Sequence, residues 1–96
     1  MRKLARRWPF RASMVADAPE TAGVYALWDE ESLLCIGHAS GGSDTIRARL
    51  ADHLDRAETG RGPCPSHYSW EICRDPRQRE AEARAELTRE HAGQAG

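Results

Sequence analysis

Three short stretches of the chain carry the apolar patterning of β-strands, and two longer ones carry that of amphipathic helices. Over residues 23–28, Val24, Ala26 and Trp28 alternate with Tyr25 and Leu27, the period of two that sends successive side chains to opposite faces of a sheet. Residues 33–37 (Leu-Leu-Cys-Ile-Gly) are apolar almost throughout, as expected of a strand at the centre of a sheet. The polar run Asp29-Glu30-Glu31-Ser32 between them predicts a β-hairpin. His67-Tyr68-Ser69-Trp70-Glu71-Ile72-Cys73 alternates cleanly and reads as a third strand. Ile46, Leu50, His53 or Leu54, and Ala57 recur at helical spacing, which predicts a helix from Thr45 to about Ala57 with Ser43 or Asp44 as its cap. Asp75-Pro76 supplies an N-cap and a first helical residue for a last helix reaching about His91.

Glycines and prolines punctuate these elements. Ser40-Gly41-Gly42-Ser43 is a turn, and residues 58–66, with Gly60, Gly62, Pro63 and Pro65, form a loop. The predicted architecture is α+β: a small three-stranded antiparallel sheet flanked by helices, in the order β-β-α-β-α. Residues 1–18 are a basic lead-in that Trp8, Phe10 and Met14 anchor to the core, since large apolar side chains are seldom left on a mobile arm. Residues 19–92 form a single domain, and 93–96 a flexible end.

Composition sets the outer limits. A chain of 96 residues supports one modest core. With 40% hydrophobic and 30% charged residues, the balance is that of a soluble globular domain rather than a disordered or membrane-embedded one. No apolar run approaches the roughly 18 residues needed to span a bilayer. The basic start leads into Trp8-Pro9-Phe10 rather than an apolar signal core, so the expected location is cytoplasmic, with no membrane partner. Three cysteines at irregular spacing, Cys35, Cys64 and Cys73, fit reduced thiols. A zinc site built from Cys64, His67 and Cys73 with His38 or Cys35 is the alternative, but it lacks the paired short gaps of a structural site.

The net charge of −1 conceals an uneven distribution. Arg2, Lys3, Arg6, Arg7 and Arg11 crowd the start, and Arg47, Arg49, Arg56 and Arg61 follow in the middle, while acidic residues gather at 29–31 and in the last helix. This permits a nucleic-acid face without requiring one; a solvated surface accounts for it equally well.

Cleavage of a phosphodiester needs an activated nucleophile, charge relief on the phosphate and usually a divalent metal. Tyr25 offers a hydroxyl, although a strand tyrosine is by itself an ordinary packing residue. Arg49 and His53 lie four apart and share a helix face. A guanidinium fork matches phosphate oxygens and stays charged at any working pH. The last helix offers Glu80, Glu82, Glu86 and Glu90, of which Glu82 and Glu86 share a face; pairing with Arg79, Arg84 and Arg89 explains such glutamates equally well.

Gly23-Val24-Tyr25, Cys35-Ile36-Gly37 and the helical Arg49-Leu50-x-x-His53 occur in the order and spacing of the GIY-YIG nucleases, and residues 19 to about 90 resemble that family's catalytic domain. The resemblance implies a metal-dependent endonuclease that hydrolyses DNA phosphodiester bonds. In it Tyr25 is the general base, Arg49 clamps the phosphate, His53 assists, and Glu82 or Glu86 holds Mg²⁺ or Mn²⁺, with Glu82 preferred. Arg47 becomes a general DNA contact or a solvated charge. Cys35 stands where the family has a tyrosine that orients water, and that contribution is lost or passes to His38. The alternative is a non-catalytic module on the same fold that binds nucleic acid or a partner protein.

Overall fold

In the computed structural model, which describes Leu4 and residues 6–92, with the backbone alone over 89–92, the chain order is β1 (Trp8–Pro9), α1 (Ala12–Val15), β2 (Gly23–Asp29), β3 (Ser32–Ala39), α2 (Ile46–Glu58), β4 (His67–Ile72) and α3 (Pro76–Ala92). The strands form one four-stranded antiparallel sheet in the order β1-β4-β2-β3. The fold class is α+β as expected, but the sheet has four strands rather than three. The added strand comes from the lead-in: Trp8 pairs with Tyr68 and Pro9 with His67, and the Phe10 amide donates to the Ser66 carbonyl at 3.0 Å. Pro9 is tolerated there because the strand sits at an edge, where a missing N–H costs no ladder bond. Arg2 and Lys3 of the lead-in, and the end expected to be flexible at 93–96, lie outside the described residues.

The second correction concerns β3, expected at the centre and found at the opposite edge. Its apolar character reflects partial cover from the helices, complete at Ile36 and Ala39, not lateral position. The helices lie on both sides of the sheet. On one side Val15 and Ala18 near α1, and Ile46 and Leu50 of α2, pack on Tyr25, Leu27, Ala39 and Tyr68. On the other, Ala83 and Leu87 of α3 pack on Val24, Ala26, Trp28 and Ile36, joined by Leu4. β2 is therefore buried from Gly23 to Trp28. Each fully buried large side chain in these layers contributes about 1.5–3 kcal/mol.

The lead-in is fastened as its apolar residues suggest. Trp8, Phe10 and Met14 pack against the α1–α2 layer, Phe10 meets Tyr68 edge-on at 6.1 Å, and the Tyr68 hydroxyl donates to the Met14 carbonyl at 2.8 Å. On the other face the buried Trp28 indole N–H donates to Ser69 Oγ at 3.0 Å, which satisfies a donor that would be costly to bury alone.

Thr45, rather than Ser43 or Asp44, caps α2: its Oγ1 accepts from the Ala48 amide at 3.1 Å. The first amides of α2 donate outward, Ile46 to the Thr21 carbonyl and Arg47 to that of Pro19, so the loop before β2 seats the helix. Asp75 caps α3 as the sequence suggests, accepting from the Gln78 amide at 3.2 Å. Among the described residues no helix is long and apolar enough to cross a membrane.

Two glycines set the geometry of the layers. A Cβ at residue 23 would overlap the Glu71 carbonyl and come within 2.6 Å of Ile46 Cδ1. A Cβ at residue 37 would overlap Tyr25 Oη and lie 2.5 Å from its Cζ, so the tyrosine ring lies directly across β3. Gly37→Ala is expected to cost about 1–3 kcal/mol by overpacking. Gly62→Ala, whose Cβ would meet nothing nearer than 3.8 Å, should change stability by less than about 1 kcal/mol. Urea denaturation of the two variants checks this.

Candidate functional site

Alternation along β2 turns Tyr25 toward α2, where successive turns of the helix carry Arg49 and His53. The Tyr25 hydroxyl lies 3.1 Å from His53 Nε2, and the two rings stand 5.5 Å apart at 59°. Tyr25 is 5% exposed, so its phenol is packed and only its edge reaches the surface. Burial, more than any charge, raises the Tyr25 pKa; the nearby Cys35, Glu80 and Asp44 add to the rise and Arg49 opposes it. Burial also lowers the His53 pKa, helped by the positive charges of Arg56 and Arg49 and opposed by Asp52. At neutral pH both members of the pair are therefore favoured in their neutral forms, and the tautomer with its proton on Nδ1 lets Nε2 accept from the phenol.

Arg49 lies beside this pair with its fork engaged. Its Nε and a terminal nitrogen donate to the two oxygens of Asp44 at 2.6 and 3.1 Å. Asp44 also accepts from the Ser40 amide at 3.0 Å, and these hydrogen bonds, Arg49 first, hold its carboxyl well below the usual carboxylate range. Both side chains are partly open to solvent. Such a pair is worth about 0–1 kcal/mol, so a phosphate offering the same two-oxygen geometry can displace Asp44.

The carboxylates of α3 fall otherwise than the sequence suggests. Glu82 lies 3.7 Å and Glu86 3.4 Å from Arg79, which also forks onto Glu71 at 2.7 and 3.1 Å. These residues form an ion-pair network tying α3 to β4, whereas Glu80, on the same side of the sheet, lies toward β3. Glu80 is the α3 carboxylate whose charge reaches the Tyr25 phenol. Its oxygens accept from His38 Nδ1 at 2.6 Å and from Arg84 at 2.8 Å, and Arg84 foremost, then His38, holds its pKa down. Residues two apart on a helix point roughly 200° apart, so Glu80 and Glu82 cannot serve the same site.

His38 pairs with Val24 across the hairpin and faces α3, where Glu80 takes its ring nitrogen. Arg47, expected to meet DNA or solvent, donates to the Ala18 carbonyl at 2.8 Å and pairs with Glu20 at 3.0 Å, locking the start of α2 to the preceding loop. Two residues of the site escaped the sequence reading. Asp44, a candidate cap by sequence, instead meets Arg49, an acid just before a helix and an arginine one turn inside it being spaced to pair. Glu80 stands in the sequence as one of four glutamates of the last helix, and its contact with His38 of β3 is what sets it apart. Among the described residues no group of three or more His, Cys, Asp or Glu side chains is arranged to hold a metal ion, and Cys35, Cys64 and Cys73 are free thiols.

Compared with known protein families, with curated proteins and with solved structures, the chain finds no match.

Because His53 is held neutral by folding, its pKa is lower in the folded chain than in the unfolded one, where it is about 6.5. Below that pH the unfolded chain binds more protons at this residue, so its contribution to stability falls as pH drops below about 6.5. His53→Gln should flatten that part of the stability–pH curve, measured by chemical denaturation, and the imidazole should titrate below 6.5 by NMR.

Proposed function

We propose that the chain is an endonuclease that hydrolyses DNA phosphodiester bonds with the help of a divalent metal. The observation that carries this reading is the Tyr25–His53 hydrogen bond at 3.1 Å beside an arginine fork already set for two oxygens. The likeness of Gly23-Val24-Tyr25, Cys35-Ile36-Gly37 and Arg49-Leu50-x-x-His53 to the GIY-YIG nucleases supports it.

A raised Tyr25 pKa makes a free phenolate base scarce at neutral pH. The hydrogen bond offers a different route. A water molecule at the exposed edge of Tyr25 passes a proton to the phenol oxygen while the phenol proton moves to His53 Nε2, leaving an imidazolium. The resulting hydroxide adds to phosphorus, the bond to the leaving oxygen breaks, and that oxygen takes a proton from solvent. Arg49 exchanges Asp44 for the phosphate oxygens and stabilises the charge that builds on them.

Mg²⁺ binds through one or two carboxylates together with waters and substrate phosphates rather than in a cage of protein ligands. Glu80 fits that demand, since Arg84 and His38 keep it ionised and each of its oxygens retains a lone pair. Mg²⁺ or Mn²⁺ held there would supply Lewis-acid relief of charge at the phosphate. Glu82 and Glu86 lie instead against Arg79, at 3.7 and 3.4 Å. A cytoplasmic setting belongs to the same reading and is supported by the free thiols.

A second reading, a non-catalytic module that binds nucleic acid, is favoured by Cys35 in place of the family's tyrosine. The two part in one assay. Purified protein should nick supercoiled DNA with Mg²⁺, and Arg49→Ala should lower the rate by about 10²–10³ while circular dichroism stays unchanged. Cleavage that survives Arg49→Ala combined with Glu80→Gln overturns the endonuclease reading; salt-sensitive DNA binding without any cleavage establishes the module instead.

A further inference from the structure

Next to the Tyr25–His53 pair, on the same side of the sheet, a groove of ≈ 280 Å³ opens between β3, the end of α2 and the loop at 59–66. Leu34, Cys35 and Pro65 supply apolar walls, His53 forms one end, and Arg56 and Arg61 stand at the rim. The loop folds back so that the Arg61 amide donates to the Arg56 carbonyl at 2.8 Å, which brings the two arginines to one side. Arg56 also touches Asp52 at 3.2 Å, in a pair exposed enough to yield to another anion. Leu34, 39% exposed, is one of the chain's large apolar side chains left open to solvent, and it lies on this groove.

Cys35 lines this space with a small side chain. It pairs with Leu27 while Gly37 pairs with Tyr25, so residues 35 and 25 project toward the α2 side on neighbouring strands. A tyrosine at 35, as in the resembled family, would lay its ring into this volume; the thiol leaves it open. The loop wall, carrying Pro63 and Pro65, is conformationally restricted, so the groove is preformed.

We propose that this groove receives one unpaired nucleobase of the strand being cut, with the phosphate beside that base on Arg56 and Arg61. An apolar slot with a cationic rim matches a flat base joined to an anionic linkage. A base stacked in a duplex cannot enter it. The favoured substrate is thus single-stranded or locally unpaired DNA rather than continuous duplex. This proposal rests on the endonuclease reading for the placement of the scissile phosphate at Arg49.

The test uses the full chain and a short single-stranded oligonucleotide carrying one 2-aminopurine, in EDTA so that nothing is cut, with a matched duplex as comparison. Wild type and Cys35→Ala should bind the single strand more tightly than the duplex and change the 2-aminopurine emission. Cys35→Tyr should lose roughly tenfold in single-strand affinity, with duplex binding unchanged. Arg61→Ala, at an exposed position that does not endanger folding, should weaken single-strand binding about threefold, less than the loss of a stacked base. Equal affinity of wild type for the two forms, or single-strand binding by both Cys35→Tyr and Arg61→Ala at the wild-type level, overturns the base groove. Mg²⁺-dependent nicking that persists alongside that result leaves the endonuclease reading standing, whereas absence of all DNA binding by wild type removes both.

Discussion

Tyr25 can lie across β3 only because residue 37 has no side chain, and that close approach delivers the phenol to the face of α2. Gly23 performs the matching service two residues earlier, at the start of β2, where Glu71 and Ile46 close in on the backbone. The two glycines of the paired tripeptides are thus packing requirements before they are anything else. They let a strand buried on both faces carry a polar ring whose hydroxyl finds a partner in His53.

The same burial sets the chemistry. Desolvation raises the phenol and lowers the imidazole, so folding favours the neutral form of both members of the pair. Arg49 works against the first effect and with the second, because a positive charge favours phenolate and disfavours imidazolium. On the opposite face Glu80 joins His38 to Arg84, and Arg84 also donates to the Ile36 carbonyl at 3.1 Å. That bond covers part of the free edge of β3, where an unpaired carbonyl would invite pairing with another chain.

Period and punctuation made the central elements legible in the sequence: the alternation around Tyr25 and Tyr68, the helical recurrence of Ile46 and Leu50, and the Asp75-Pro76 start. They did not reveal lateral order, because the apolar run at 33–37 says nothing about neighbours in the sheet. The strand at Trp8–Pro9 is too short to leave a period and contains a proline. Arg49 and His53 were legible because one helix face holds both. Glu80 was not singled out over Glu82 and Glu86, since choosing among them requires knowing which side of α3 meets β3. The tie between Arg47 and the 18–20 loop was likewise invisible, because it joins segments whose closeness only the fold creates.

The account turns on a proton passing from Tyr25 to His53, and single-turnover cleavage of DNA as a function of pH, for wild type and Tyr25→Phe, tests it most directly. The wild-type rate should rise with pH through an apparent pKa below about 6.5, the neutral form of His53 being the acceptor. Tyr25→Phe should lose about 10²–10⁴ in rate at every pH. A Tyr25→Phe protein that cuts at the wild-type rate with the same profile would contradict it.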